Sequence, residues 1–296
     1  MTSTCAVIAG APGIELQPVP RIEGLDRDAF FRDFQRPARP VVLTGLARDW
    51  PALAKWTPQY LAQRYGAQPV PVYDARFVAR GANYMSSVAT MTFGDFLRAV
   101  LSEERDLRMF LYNIASEIPE LRADVPLPDL ADGFSRRFVF TFFGCRGSVT
   151  PLHYDIDNSH VLHTCLYGRR RIVLFAPDQG ANLYRHPFTV RSYVDVERPD
   201  YGRYPRLARA QGYDVTLRPG ETLFMPSGYW HEVRYLDGGY GLSLRFPSER
   251  PGARLRGLVN LALVSPLDRL LNKLAPDAWF AWKARAAQRA DRRGEA

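Results

Sequence analysis

The segment from residue 137 to residue 247 consists of short runs rich in β-branched and aromatic residues, and this pattern limits the folds that the chain can adopt. Turn residues such as Pro219 and Gly220 separate neighbouring runs. Many short strands joined by tight turns predict a barrel or a sandwich of two sheets. The runs cover residues 137–143, 171–175, 213–217, 221–225, 231–235 and 240–246.

Helices are predicted on both sides of this β-rich region. Residues 26–34 form a helical pattern, and residues 40–44 a strand. Thr57, Pro58 and Gly66 have the positions of an N-cap, a first helical residue and a closing residue. Thr92 and Asp95 resemble a capping box before 96–101. Ser265–Pro266 and Pro276 are predicted to begin two further helices.

The chain is therefore predicted to be mainly β with flanking helices. We expect a flexible N-terminal lead (1–20), a catalytic domain (21–250) and a C-terminal helical segment (251–296). The 296 residues are 46% hydrophobic, enough to bury a large core.

Signals for export and membrane insertion are missing from this sequence. There is no signal-peptide pattern and no run of about 18 apolar residues, so we expect a cytoplasmic protein without a membrane partner. Cys5, Cys145 and Cys165 are scattered without Cys-x-x-Cys spacing, which indicates neither a disulfide framework nor a zinc-thiolate site.

The formal net charge is +8 and the sequence pI is near 9.5. Much of the excess lies in two clusters, residues 169–171 and 283–293. Such clusters attract nucleic acid or acidic partners in some proteins. No nucleic-acid-binding module accompanies them, so we favour solvated surfaces over a nucleic-acid partner.

Two histidines and one aspartate form the candidate metal site. In a strand, His153 and Asp155 project to the same side while Tyr154 faces away. His231 follows 78 residues after His153, at the start of a strand-like run behind a Pro-Ser-Gly turn. Two imidazoles and one carboxylate on one face of a metal ion are typical of non-haem Fe(II) oxygenases.

Longer segments around these residues resemble the JmjC-type and cupin-like Fe(II)/2-oxoglutarate oxygenases, in the branch that contains a protein asparaginyl hydroxylase and a tRNA wybutosine hydroxylase. The matching segments are 149–155, 168–179, 183–184, 199–206 and 212–231, together with the N-terminal stretch 39–57. The resemblance covers about two-thirds of the chain. It implies a double-stranded β-helix, or jelly roll, with Fe(II) on His153, Asp155 and His231.

The resemblance also implies residues that hold the cosubstrate 2-oxoglutarate. Thr150 and Arg170 correspond to the family's Thr and basic residue, although the branch usually has Lys where this chain has Arg. Arg can bind a carboxylate through two hydrogen bonds. Arg245, near the end of the last strand, is the alternative carboxylate ligand. Tyr112 corresponds to a phenol that helps to hold the cosubstrate, and Phe110 fits that position equally well.

The segment 155–168 departs from the family by two additional residues, and Val161 replaces an expected Asn. Alternation along a strand places Val161, His163 and Cys165 on one face. If that face is the barrel interior, His163 lies near the cosubstrate; otherwise it is an interior histidine satisfied by hydrogen bonds. His160 and His186 are expected to be structural, as the remaining two of the five histidines.

These features predict a 2-oxoglutarate-dependent dioxygenase that uses Fe(II) and O2 to hydroxylate a protein side chain, a peptide or a small molecule. The alternative is a non-catalytic cupin-like module that binds a metal or a small ligand. By resemblance, the C-terminal helices are a candidate homodimer contact. The sequence identifies neither the substrate nor whether hydroxylation leads to demethylation.

Overall fold

The computed structural model describes residues 13–74 and 87–289, and the element bounds below refer to these residues. The strands are β1 (Glu15–Pro18), β2 (Arg21–Glu23), β3 (Val41–Thr44), β4 (Pro69–Val72), β5 (Ala89–Thr92), β6 (Arg108–Asn113), β7 (Phe140–Gly144), β8 (Val149–His153), β9 (His160–Tyr167), β10 (Arg170–Phe175), β11 (Gln211–Leu217), β12 (Glu221–Met225), β13 (Trp230–Tyr235) and β14 (Gly239–Phe246). The helices are α1 (Arg27–Phe30), α2 (Pro51–Lys55), α3 (Pro58–Tyr65), α4 (Phe93–Ser102), α5 (Ile114–Glu117), α6 (Pro251–Val259), α7 (Ser265–Leu274) and α8 (Pro276–Arg289). Two π-helical segments, Phe31–Gln35 and Asn260–Val264, extend α1 and join α6 to α7.

Two main sheets form the jelly-roll core that the sequence predicts. The five-stranded sheet has the order β1-β11-β10-β13-β8, and the seven-stranded sheet has the order β2-β3-β12-β9-β14-β7-β6. Strands β8 to β14 are distributed between both sheets, so consecutive segments of chain build opposite walls of the core. Strands β4 and β5 pair separately as a hairpin-like ribbon.

The six predicted strand runs all correspond to strands. The N-terminal run is shorter than predicted, because β7 begins at Phe140 and not at residue 137. The turn before β12 fits its sequence: Gly220 has a φ of +87°, a conformation that side-chain-bearing residues rarely adopt. Helix caps also agree, since the Thr57 and Thr92 hydroxyls accept hydrogen bonds from the backbone N–H groups of Tyr60 and Asp95.

Two local predictions are wrong. Residues 15–18 of the predicted flexible lead form β1, which pairs with β11, while residues 1–12 lie outside the described residues. Ser265 is not an N-cap, because the helical backbone runs on from α6 through the π-helical segment into α7. Gly66, by contrast, ends α3 as predicted, in a right-handed conformation with its N–H donating to the Ala62 carbonyl.

Hydrophobic clusters fill both the space between the sheets and their outer faces. Inside, side chains from both sheets pack together, including Val42, Ile172 and Leu223. The largest cluster packs α2, α3 and α4 against the outside of the seven-stranded sheet, with Trp56 and Phe96 almost fully buried. None of the described helices has the length and apolar character needed to span a bilayer.

Candidate metal centre

His153 and His231 meet across neighbouring strands of the five-stranded sheet. His153 ends β8, His231 is the second residue of β13, and the register places them directly opposite each other. Their ring centroids are 4.3 Å apart. Two residues that are 78 positions apart in sequence therefore present imidazoles to one point.

Asp155 completes this group. The sequence pattern predicts that Asp155 lies in the same strand as His153, but it lies outside any strand. Strand β8 ends at His153, and Asp155 lies two residues further on, at the start of a turn. One ligand atom from each of the three side chains lies within 4.8 Å of the other two. This distance is suitable for coordination of a single ion.

The backbone fixes which nitrogen of each imidazole faces the ion. His153 Nδ1 lies 2.8 Å from the Pro151 carbonyl oxygen, and His231 Nδ1 lies 3.2 Å from the Tyr229 carbonyl oxygen. A carbonyl only accepts, so each Nδ1 donates its proton and each Nε2 keeps a free lone pair. Metal-binding histidines commonly donate their other ring N–H to a backbone carbonyl in this way.

The charge states also suit a metal. Burial, followed by the charge of His231, lowers the pKa of His153 to about 3. Burial also lowers the pKa of His231, against the opposing effect of Asp155. Burial disfavours ionisation of Asp155, but Arg245 and the two imidazoles outweigh it and hold the pKa of this carboxyl below its usual range. Neutral imidazoles and an ionised carboxylate are the forms that ligate.

Arg245, one of the two candidate cosubstrate ligands, is instead bound to the metal-site aspartate. Its Nη2 donates to Asp155 Oδ1 at 2.8 Å, and its Nη1 donates to Asp157 Oδ1 at 2.7 Å. Nothing in the sequence indicates that Asp157 contacts Arg245. Because both terminal nitrogens of the guanidinium are engaged, Arg245 orients Asp155 and has little capacity left for a ligand carboxylate.

Arg170, the other candidate, lies deeper and is only 1% exposed. Its Nη1 donates to His163 Nε2 at 3.1 Å, and its guanidinium carbon lies 5.0 Å from the centre of the Tyr235 ring. Its Nε and Nη2 atoms have no acceptor among the described residues. A buried guanidinium without a carboxylate is costly, so this position favours an anionic ligand.

His163 is an interior residue that links Arg170 to the cleft. Since a guanidinium only donates, His163 Nε2 accepts, and Nδ1 donates to Ser243 Oγ at 2.9 Å. Burial, and then Arg170, holds the pKa of His163 well below its ordinary value. Ser243 was missed, although alternation along β14 places it on the same face as Arg245.

A cleft between the two sheets opens onto the metal site. The space between its walls is about 830 Å³, part of which is open to solvent. Its walls come from both sheets and from two loops: Phe110, Leu111, Phe142, Thr150, Pro151, His153, Asp155, Val161, His163, Arg191, Met225, His231, Val233, Tyr235, Ser243 and Arg245. Apolar groups dominate the walls, so charges inside the cleft act in a medium of low dielectric constant.

Thr150 lines this cleft, whereas Tyr112 does not belong to its wall and packs into the largest hydrophobic cluster. Phe110 lines the cleft in place of Tyr112. The cause is a bulge in β6 between Met109 and Tyr112, where Leu111 has a φ of +53°. A bulge shifts the alternation of side chains, and the sequence shows no sign of it.

His160 and His186 have structural contacts. His160 Nδ1 accepts from the Ser227 backbone N–H at 3.0 Å, and its Nε2 lies 3.0 Å from Glu249. His186 is buried against the ring of Phe280 on α8. Cys145 and Cys165 are free and buried, and Cys5 lies outside the described residues.

The fold and the site define a jelly-roll protein with two histidines and one carboxylate at the mouth of an internal cleft. The chain belongs to the family of cupin-like domains, whose model matches residues 27–246. The resemblance inferred from the sequence is therefore confirmed at the level of the family.

Curated relatives carry names from the same group of proteins. Lysine-specific demethylase 8 of Xenopus tropicalis is 30% identical over 223 residues, which are 72% of this chain and 49% of that protein. Jumonji C domain-containing protein 5 of Drosophila melanogaster is 30% identical, with shares of 76% and 62%. The tRNA wybutosine-synthesizing protein 5 of Gallus gallus is 28% identical, with 76% of each chain covered. The chain thus spans about half the length of the demethylase 8 relative.

Proposed function

We propose that this protein is an Fe(II)- and 2-oxoglutarate-dependent oxygenase that hydroxylates a C–H bond of a protein side chain, a peptide or a small molecule. The observation that carries the proposal is the convergence of His153, Asp155 and His231 on one point that faces an internal cleft. Three protein ligands on one side of the ion leave its other side available to small molecules.

The residues of the site fit both Fe(II) and 2-oxoglutarate, which this reaction requires. Two Nε2 lone pairs and one carboxylate match the ligand preferences of Fe(II). Arg170 offers two unmatched donors behind the cleft, which suits the distal carboxylate of 2-oxoglutarate. Thr150 and Ser243 line the cleft and supply hydroxyls that accept or donate hydrogen bonds.

When bound, Fe(II), 2-oxoglutarate and O2 supply the chemistry: oxidative decarboxylation to succinate and CO2, coupled to hydroxylation of the substrate. The protein binds and orients these groups and the substrate, and it shelters them from water. Arg245 holds Asp155 in place, and the carbonyls of Pro151 and Tyr229 hold the imidazole protons on Nδ1. The apolar walls of the cleft restrict the access of water.

Turnover of 2-oxoglutarate separates this function from the non-catalytic alternative. Wild-type protein supplied with Fe(II), ascorbate and O2 is expected to form succinate, even slowly and without a substrate. His153→Ala and Asp155→Ala are expected to lose this turnover, while His160→Asn, a histidine outside the site, retains it. A folded wild-type protein that binds metal and forms no succinate would support the metal-binding module.

Different measurements test for an RNA substrate and for a protein substrate. The relatives carry the names of a lysine demethylase and of a tRNA wybutosine-synthesizing protein, and each name describes that relative. An RNA substrate predicts association with tRNA that weakens steeply with salt. A protein substrate predicts hydroxylated or demethylated peptides by mass spectrometry, and these two products differ in mass.

A further inference from the structure

Arg191 is held beside the metal site by the backbone. The Tyr154 N–H donates to the Val190 carbonyl at 3.0 Å, and the Ser192 N–H donates to the Leu152 carbonyl at 3.1 Å. These bonds place Arg191 directly opposite His153 in a short antiparallel bridge. Directly opposed residues in an antiparallel pair project to the same face. The Arg191 side chain consequently lines the cleft next to a metal ligand.

The charge of Arg191 acts within an apolar environment. The residue is half-buried, and the wall of the same cleft includes Phe110, Leu111 and Phe142. Tyr193 lies beside Arg191, whose charge opposes the rise that burial causes in the pKa of the Tyr193 hydroxyl. Walls of low dielectric constant strengthen the field that a charge exerts inside a cleft.

Two further charged residues of the described cleft wall, Arg245 and Asp155, are paired with each other. Arg245 is paired with Asp155 and Asp157, and Asp155 also faces the two imidazoles. Among the described residues of the cleft wall, Asp155 is the only carboxylate. The wall thus offers no separate carboxylate for a cationic substrate group, and Arg191 repels such a group.

We propose that Arg191 selects polypeptide segments in which an aspartate or glutamate carboxylate lies at or beside the residue that is oxidised. A guanidinium binds a carboxylate through two parallel hydrogen bonds and repels the ammonium of lysine, methylated or not. This inference rests on the proposed function and names its substrate class. The proposed preference for acidic residues differs from the lysine specificity in the name of the Xenopus relative.

Peptide pools test the inference without turnover. Three pools share randomised neutral flanking residues and differ at the centre, which is Asp or Glu, Asn or Gln, or Lys or trimethyl-lysine. Full-length protein with Mn(II) and 2-oxoglutarate is mixed with all three pools in the absence of O2, and the retained peptides are quantified by mass spectrometry. We expect the acidic pool to be retained about tenfold or more over the lysine pool at low ionic strength, and less as salt is added.

Two variants and one matched control assign the preference to Arg191. Arg191→Gln is expected to abolish the preference, and Arg191→Glu to reverse it. Arg198→Glu makes the same change of charge at a side chain that is 89% exposed and is not part of the cleft wall, and it is expected to leave the preference intact.

The outcomes distinguish this inference from the proposed function. Metal-dependent binding of 2-oxoglutarate by the wild-type protein is measured first, and its absence defeats the proposed function together with this inference. With that binding present, equal retention of the three pools, retention of none, or reversal by Arg198→Glu overturns the assignment to Arg191 alone.

Discussion

Arg170 has an unusual environment for a buried charge. It is 1% exposed, its Nη1 donates a hydrogen bond to the neutral His163, and no carboxylate among the described residues pairs with it. Arginine is almost never fully buried in proteins without a partner. The free energy cost of this arrangement is offset when an anion binds, so the residue indicates a ligand that must be supplied from outside.

Replacement of Arg170 by Met tests this assignment. We expect the affinity of the Mn(II)-loaded protein for 2-oxoglutarate to fall about 30-fold or more, because a charge-paired hydrogen bond contributes about 2–5 kcal/mol. The unfolding midpoint is expected to stay equal or to rise, since an apolar replacement of a buried charge is often neutral or stabilising. Isothermal titration calorimetry measures the affinity, with exposed Arg169→Met as the control. An unchanged affinity would show that another residue holds the cosubstrate.

Arg245 has the opposite environment, since two carboxylates surround it. Arg245→Met leaves Asp155 and Asp157 without their cation, and we expect the unfolding free energy of the metal-free protein to fall by about 2 kcal/mol or more. Mn(II) then replaces the missing positive charge beside Asp155. The rise in unfolding temperature on adding Mn(II) is therefore expected to be larger in the variant than in wild type. An equal rise in both proteins contradicts this electrostatic role.

At the scale of elements, the sequence predicts strands well where alternation and turn residues agree. Strands β10 to β14 lie within two residues of their predicted bounds for this reason. It fails where tertiary contacts change the local geometry. The bulge of β6 moves Phe110 to the cleft and Tyr112 into the core, and Asp155 lies in the turn after β8, where Arg245 donates a hydrogen bond to it.

The docking of α8 onto the loop that carries Arg191 predicts a pH dependence. His186 is 5% exposed among Tyr193 and Phe280, and burial, followed by the charge of Lys283 and against that of Asp268, lowers its pKa to about 4. The unfolded chain binds the proton near pH 6.5, so the folded state loses stability as the pH falls from about 6.5 towards 4. The cost at pH 5 relative to pH 7 is about 2 kcal/mol.

Urea unfolding at pH 7 and pH 5 measures this effect. We expect His186→Asn to lose about 2 kcal/mol less stability than wild type between these two pH values, because its side chain does not titrate. Other titrating groups contribute equally to both proteins and cancel in the difference. Identical pH dependence in the two proteins would show that His186 is protonated as readily in the folded protein as in the unfolded chain.

At the scale of the whole molecule, the candidate metal site depends on contacts that no local pattern specifies. His153 and His231 become neighbours only because β8 and β13 pair in the five-stranded sheet. The double-stranded β-helix was implied by the family resemblance, whereas the strand pattern predicted only a barrel or a sandwich. The unmatched Arg170 and the position of Arg191 have no sequence signal, since both depend on which side chains surround them after folding.

The helical segment from α6 to α7 leaves a large apolar surface uncovered. Nine of the fourteen exposed large hydrophobic side chains of the described residues lie between Leu255 and Trp282. Leu263 and Leu274 are 65% and 70% exposed. Exposed apolar side chains concentrated in one segment indicate an interface. We propose that a second copy of the chain covers it, since one self-complementary patch is sufficient for a two-fold dimer.

Sedimentation velocity at micromolar concentration tests this dimer. Wild type is expected to sediment at twice the mass of the chain, and the double variant Leu263→Glu/Leu274→Glu at the mass of one chain. A buried carboxylate without a partner costs several kcal/mol at an interface, whereas these positions cost little in the monomer because they are exposed. Leu101→Glu, 45% exposed on α4, is the matched control and is expected to remain dimeric. A monomeric wild type at these concentrations would assign the apolar surface to a different partner.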